Sequence, residues 1–269
     1  MAEDERAPAG IDPTVPSVAR MYDYYLGGKD NFASDREAAE KIIELVPSIK
    51  DIAKDNREFL IRVVRTLAAN GIRQFVDIGT GLPTQQNVHQ VALDAAPGAR
   101  IVYVDNDPIV LVHARALLTD NPQTIVVNAD MHDPKGIVQH PVLRSHIDFS
   151  RPVALLLFAI LHFVPDQEEA ASIVTALREP LVPGSYVAVS HSYAGSLTQD
   201  TIQRGQSVYR AATPGSITPR GREQVGSLFD GLELESPGIV PVQAWRPDWH
   251  DIQPDFTLPG LLGGLARVP

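Results

Sequence analysis

Phe75-Val76-Asp77-Ile78-Gly79-Thr80-Gly81 is the stretch on which the fold turns. A short apolar run over 74–78 reads as a buried strand. The two glycines that follow read as a tight turn into a helix, predicted over 84–95. A turn without Cβ atoms lets the backbone approach a ligand closely. A helix N-terminus behind it offers free N–H groups and partial positive charge. Taken alone, Gly-x-Gly is equally explained as a bare strand-to-helix link.

The next two apolar runs extend the pattern. The run over 100–104 ends in Asp105, and the run over 124–127 ends in Asn128-Ala129-Asp130-Met131. An acid such as Asp105 accepts two ribose hydroxyls, and Asp130 accepts an adenine amino group while a following N–H reads the ring. Each acid alone also fits a solvated or loop-capping residue. Three acids at three successive strand ends, with glycines between the first two, point to one ligand at the carboxyl edge, where open α/β sheets bind. Asp77, two residues before Gly79, suits a ligand with a positive amino group and would repel a diphosphate. A nicotinamide cofactor is disfavoured, because Pro83-Thr84 stands where Gly-x-Gly-x-x-Gly needs its last glycine.

Two more apolar runs, over 153–158 and 186–189, alternate with helical segments over 84–95, 108–118 and 166–178. Continuous apolar strands separated by helices imply parallel strands covered on both faces. Near the end, strands over 232–234 and 240–245 are joined through Ser236-Pro237-Gly238, too short for a crossover, so the two are expected to pair antiparallel. Residues 12–71 read as helical, with capping-box patterns at Ser34/Glu37 and again at Ser196/Gln199, and with Ser48 as a cap. The expected fold is α/β: a doubly wound, mostly parallel seven-stranded sheet with a terminal antiparallel strand. The expected organisation is a disordered leader over 1–11, a helical cap or lid over 12–71, a Rossmann-like domain over 72–250 and a Gly/Leu-rich tail over 251–269.

The 269 residues include 23 basic and 33 acidic side chains, for a formal net charge of −10. That balance argues against a nucleic-acid partner, which draws on clustered Lys and Arg. Absence of cysteine excludes disulfides, thiolate metal sites and a cysteine nucleophile. The longest apolar stretch, 153–161, falls well short of the roughly 20 residues a membrane span needs. With an acidic, Ala/Pro-rich start, this gives the expectation of a cytoplasmic protein without a membrane partner. The eight histidines include no ligand-spaced cluster, so no metal is expected.

The motifs resemble those of class I S-adenosylmethionine-dependent methyltransferases. Val76–Gly81 is similar to that superfamily's first motif, Asp105 to its second, Asn128-Ala129-Asp130 to its third, and 154–166 to its fourth. Leu181–Tyr186 resembles the turn into its fifth strand, and its terminal antiparallel strand matches the run over 240–245. A narrower resemblance covers nearly the whole chain. Pro16–Phe32 with Asp35, Gly79-Thr80-Gly81-Leu82-Pro83-Thr84 and Trp245-Arg246-Pro247 look like an actinobacterial S-adenosyl methyltransferase family first catalogued as a domain of unknown function. Pro83 departs from the superfamily, where a third glycine is common.

The resemblance implies S-adenosyl-L-methionine as cofactor, held by Asp77, Gly79, Thr80, Gly81, Asp105, Asn106, Asp130, Met131, Phe158 and Ala159. It implies a methyl acceptor too. The acidic balance, and the lack of the Asn/Asp-Pro-Pro-Tyr/Phe motif of amino-methylating DNA enzymes, favour a small molecule. A non-catalytic cofactor-binding sensor or partner module is the alternative. Arg20, Tyr22, Tyr25, Asn31 and Phe32 are the candidate lid and substrate residues, although the tyrosines equally fit a helix packed on the sheet edge and Arg20 a salt bridge to Asp23. His162 and His191 follow the fourth and fifth strands and are candidate bases; each also fits a structural histidine.

Overall fold

The computed structural model describes residues 11–83, 86–117, 121–212, 215–248 and 252–269. Residues 1–10 of the predicted leader, the predicted helix start at 84–85 and the predicted helix end at 118 lie outside them. Five parallel strands form the centre of the sheet: β1 (Gln74–Ile78), β2 (Arg100–Asp105), β3 (Thr124–Asn128), β4 (Ala154–Phe158) and β5 (Tyr186–Tyr193). β6 (Glu233–Leu234), β7 (Val240–Pro241) and β8 (Gly260–Arg267) complete it, in the order β3-β2-β1-β4-β5-β8-β6 with β7 also on β8.

The C-terminal end corrects the sequence reading. The sheet has eight strands, not seven. β6 and β7 do not pair with each other; both pair antiparallel with β8. The terminal antiparallel strand is therefore Gly260–Arg267, inside the stretch read as a tail, and it runs along β5 from Tyr186↔Arg267 to Tyr193↔Gly260. Two of its glycines make room for packing: a Cβ on Gly263 would stand 2.6 Å from the ring of Phe59, and one on Gly264 would meet Ile239.

The helices in chain order are α1 (Val18–Tyr25), α2 (Ala33–Leu45), α3 (Ile49–Ala69), α4 (Val88–Ala95), α5 (Pro108–Leu117), α6 (Pro134–Gln139), α7 (Pro141–His146), α8 (Gln167–Arg178), α9 (Gln199–Arg210) and α10 (Arg222–Ser227). Alternation along the strands sorts them onto two faces. Val76 and Ile78 of β1 pack into a core with α1, α2 and α8, whereas Phe75 packs into a second core with α3 and α4. α3 buries Phe59, Leu60, Val63, Val64 and Leu67, and Phe59 meets Phe158 and Trp245 edge-on at 5.5 and 5.4 Å. The cap expected over 12–71 is thus divided: α3 is a layer of the sheet domain, and α1 and α2 lie over the carboxyl edge.

The caps are also revised. α2 starts one residue before Ser34: Asp35 Oδ2 accepts from the Phe32 N–H at 2.7 Å. Ser48 precedes α3 without a side-chain bond. α9 is capped by Thr198, whose Oγ1 accepts from the Thr201 N–H at 3.2 Å, so the Ser196/Gln199 pair is not the cap.

Candidate functional site

The strand order reverses between β1 and β4, and at such a switch point a crevice opens above the carboxyl ends. Here it is a cavity of about 860 Å³. Asp77, Asp105 and Asp130 all line it, so the three strand tips do meet at one rim.

The glycine turn has a specific construction. The Gly79 N–H donates to Val104 O at 2.8 Å, and the Gly81 N–H donates to Asp105 Oδ2 at 2.9 Å. Both glycines have positive φ, +70° and +67°. The helix behind them starts only at Val88, so its N-terminus does not abut the turn as the sequence suggested. Asp105 ties β2 to β1 instead: its Oδ1 also accepts from the Asp107 N–H at 2.9 Å. Burial pushes its pKa up, while these backbone bonds act against that shift.

Asp77 differs from Asp105. Its carboxylate has no hydrogen-bond or ion-pair partner among the described residues, and it is only 5% exposed. Burial raises its pKa to about 7, opposed by the positive field of Arg57 and assisted by Asp105. Bringing a cation to it would restore the ionised form. Asp130 is exposed, and its Oδ1 accepts from the His132 N–H at 2.9 Å; Met131 beside it is buried. Thr80, Asn106, Phe158 and Ala159 line the cavity as well. Ala159 holds a φ of +51°, and its N–H donates to Ser190 Oγ at 2.9 Å. A non-glycine residue in that region is strained, and strain concentrates at functional sites.

The proposed lid residues divide. Tyr22, Tyr25 and Arg20 line the cavity; Asn31 and Phe32 do not. Asn31 braces the loop by donating to Asp23 Oδ2 at 2.8 Å, and Phe32 packs by Leu82, Ile109 and Val110 under the Arg20 guanidinium. Arg20 pairs with Asp35 at 2.7 Å rather than with Asp23. Asp35 also accepts from the Ser17 N–H, and Ser17 Oγ donates to Asp107 Oδ2 at 3.0 Å, which ties the start of α1 to the loop after β2. Tyr25 and Tyr209 join α1 to α9 through their hydroxyls, 3.3 Å apart.

His191 is corrected. It does not line the cavity: it is fully buried, its Nδ1 donates to Ser192 O at 2.9 Å, and its Nε2 accepts from Arg220 at 2.7 Å. Burial holds its pKa at about 4. His162 does line the cavity. The Ser192 N–H donates to its Nδ1 at 3.2 Å. A backbone N–H only donates, so Nδ1 is the lone-pair nitrogen and Nε2 carries the proton. Burial, with His191 and Arg220 nearby, pushes the pKa well down. In this tautomer the other ring nitrogen of His162, Nε2, is a hydrogen-bond donor.

Sequence reasoning missed Asn56, Arg57 and Tyr209, all lining the cavity. The signal was present for two of them. Asn56 and Arg57 are polar interruptions on the face shared by Ile52, Ala53 and Leu60. Among the described residues no three His, Asp or Glu side chains come together as a metal site, and no helix is long and apolar enough to cross a membrane.

A parallel sheet with a terminal antiparallel strand, an acid-tipped rim and a glycine turn defines a Rossmann-like methyltransferase. A profile of the S-adenosyl methyltransferase family matches residues 4–269, and the chain belongs to that family. Two solved structures share 41% identity and a TM-score of 0.88. One is a DUF574 family protein from Streptomyces avermitilis, covering 96% of this chain and 99% of that one. The other is a putative methyltransferase from Thermobifida fusca, with 97% and 98% covered. The N-methyltransferase NodS from Bradyrhizobium japonicum, in complex with S-adenosyl-L-homocysteine, shares the fold at 11% identity and a TM-score of 0.53, over 93% of this chain and 99% of that one. No curated protein sequence matches. The protein is an S-adenosyl-L-methionine-dependent methyltransferase, and the non-catalytic alternative is not favoured.

The rim fits that cofactor in charge: Asp77 is an unpaired carboxylate, and Asp105 keeps lone pairs beyond its two backbone bonds. Asp105→Ala is therefore expected to weaken S-adenosyl-L-homocysteine binding at least about tenfold, or about 1.4 kcal/mol. Calorimetry showing equal affinity would remove Asp105 from the site.

Proposed function

We propose that the enzyme methylates a small, largely apolar molecule in the cytoplasm, and not a nucleic acid. The continuity of the cavity carries this reading. It runs from the acidic rim to apolar walls that include Ile42, Leu45, Ile202 and Phe163, roofed by α1, α2 and α9. At about 860 Å³ it falls in the range of pockets that bury a small ligand nearly whole. The net charge of −10 offers little to a phosphate backbone.

S-adenosyl-L-methionine supplies a methyl group already activated on a sulfonium sulfur, so the chain mainly has to orient and desolvate. In our reading Asp77, Gly79, Thr80 and Gly81 face the amino-acid end of the cofactor, Asp105 and Asn106 the ribose, and Asp130 and Met131 the adenine. Phe158 and Ala159 form the floor between cofactor and acceptor. Tyr22, Tyr25 and Arg20 belong to the lid; burial raises both tyrosine pKa values, so their phenols stay protonated. His162 donates from Nε2 to an oxygen of the acceptor and positions it.

Two outcomes follow. With methyl-labelled cofactor and a fractionated cell extract, label is expected in the small-molecule fraction; label confined to nucleic acid would refute the reading. At saturating cofactor, which keeps Asp77 ionised, kcat is expected to show no limb near the usual histidine pKa of about 6.5. A limb there that vanishes in His162→Gln would restore His162 as a base.

A further inference from the structure

Asn56 and Arg57 stand side by side on α3 at the cavity wall. Arg57 Nε and Asn56 Oδ1 are both buried and without a partner. No hydrogen bond or salt bridge among the described residues reaches any nitrogen of the Arg57 guanidinium. The three arginines buried as whole residues are satisfied, while Arg178 Nη1, away from the cavity, is also buried without a partner. Arg20 pairs with Asp35, Arg62 donates to the carbonyls of Trp245 and Val242, and Arg220 donates to Leu161 O and Val164 O. Arg57 is half-buried at the cavity wall, and a buried Nε without an acceptor is costly to a fold, so Arg57 marks a place for an anion.

The surroundings specify which kind. Asp77 shares the strand face of Phe75, the face covered by α3, and it feels the Arg57 charge. Asn56 is held in one orientation: its Nδ2 donates to the Tyr22 hydroxyl at 3.0 Å, and that hydroxyl donates to Ala53 O at 3.1 Å. Its Oδ1 is left as an acceptor. An unpaired carboxylate, an unpaired amide oxygen and an unpaired guanidinium at one wall complement a zwitterion with one ammonium and one carboxylate.

We infer that Arg57 binds the carboxylate of the cofactor's amino-acid end, and that Asn56 Oδ1 joins Asp77 in receiving its ammonium. The inference rests on the cofactor assignment and goes beyond it. It places part of cofactor recognition on α3, outside the strand-tip motifs. Ligands that lack the amino-acid end should not sense Arg57.

Calorimetry with S-adenosyl-L-homocysteine and 5′-methylthioadenosine tests this, because the second keeps the nucleoside and thioether but has no amino-acid end. Arg57→Met is expected to lower affinity for S-adenosyl-L-homocysteine tenfold or more and to leave 5′-methylthioadenosine binding unchanged. Arg57→Lys should recover part of the loss. Arg57→Gln provides the same comparison should Arg57→Met fail to fold. Equal losses for both ligands would make Arg57 structural and overturn the inference. Unchanged affinity for both, with methyl transfer lost, would assign Arg57 to the acceptor and overturn it as well. A wild-type protein that binds neither ligand would bring down the cofactor assignment itself, a result distinct from these.

Discussion

Replacing Asp77 by asparagine is expected to stabilise the ligand-free protein at pH 8 while sharply weakening its hold on the cofactor. Burial lifts the Asp77 pKa from an ordinary 3.8 to about 7. The folded state therefore binds a proton more tightly than the unfolded chain does. This group's contribution is fully present below about pH 4 and is lost as pH rises through 7. At pH 8 ionising the buried carboxylate costs as much as about 4 kcal/mol. Asparagine has the same shape and no charge to desolvate, so a gain of about 2–4 kcal/mol at pH 8 is expected, shrinking toward nothing near pH 4. Binding moves the opposite way. Loss of a charge-assisted bond to an ammonium costs about 1.5–3 kcal/mol, or roughly ten- to a hundredfold in affinity. Denaturation at the two pH values and calorimetry at pH 8 measure both signs. If Asp77→Asn destabilises the free protein at pH 8, the carboxylate is a structural ligand of the fold and not a reserved one.

Gly79→Ala should unfold more of the site than any other single methyl added to the turn. Two costs fall on one residue. Its φ of +70° disfavours any side chain, and its added Cβ would lie 2.6 Å from Ile160 Cγ1. The conformational part is about 1 kcal/mol or more. The overlap adds about 1–3 kcal/mol, since the contact reaches Ile160 Cβ at 3.0 Å as well as the far end of the side chain. Gly81→Ala is the internal control: φ is +67° but nothing lies within 4 Å of its Cβ, so only the conformational part remains. Ile160→Ala combined with Gly79→Ala should remove the overlap and leave the φ cost. Urea denaturation of the three variants separates the terms. Equal destabilisation by Gly79→Ala and Gly81→Ala would show that Ile160 gives way freely.

Acid stability should be limited from another direction. His162 and His191 are both held neutral by burial, so the folded state binds fewer protons than the unfolded chain. Their contribution is present above the unfolded pKa of about 6.5 and is lost as pH falls below it. Between pH 4 and 6.5 they oppose Asp77. His191→Gln should therefore flatten the acid side of the stability curve, if glutamine can replace its bonds to Arg220 and Ser192.

The parallel core and its rim could be read directly. Apolar runs ending in Asp77, Asp105 and Asp130 gave strand, direction and edge together, because a buried parallel strand is marked by its own side chains. The long helices were legible for the same reason, while their caps slipped by one or two positions, since several polar residues near each start can accept from the same N–H groups. The family resemblance carried by Pro16–Phe32 and Gly79–Thr84 added the cofactor. Which of its two readings holds for His191 was not legible, because its partner Arg220 is 29 residues away in sequence.

By itself, the chain's local chemistry determined the doubly wound core, the strand-tip acids and the turn that joins them, since each depends on residues adjacent in sequence. Tertiary structure alone decided that Gly260–Arg267 is a strand. Gly-Leu-Leu-Gly-Gly-Leu-Ala-Arg has little intrinsic preference for extended backbone, and its glycines serve Phe59 and Ile239, which pack from elements distant in sequence. It likewise decided which polar residues turn inward: Asn56 and Arg57 line the cavity because α3 packs on the sheet face that Asp77 shares.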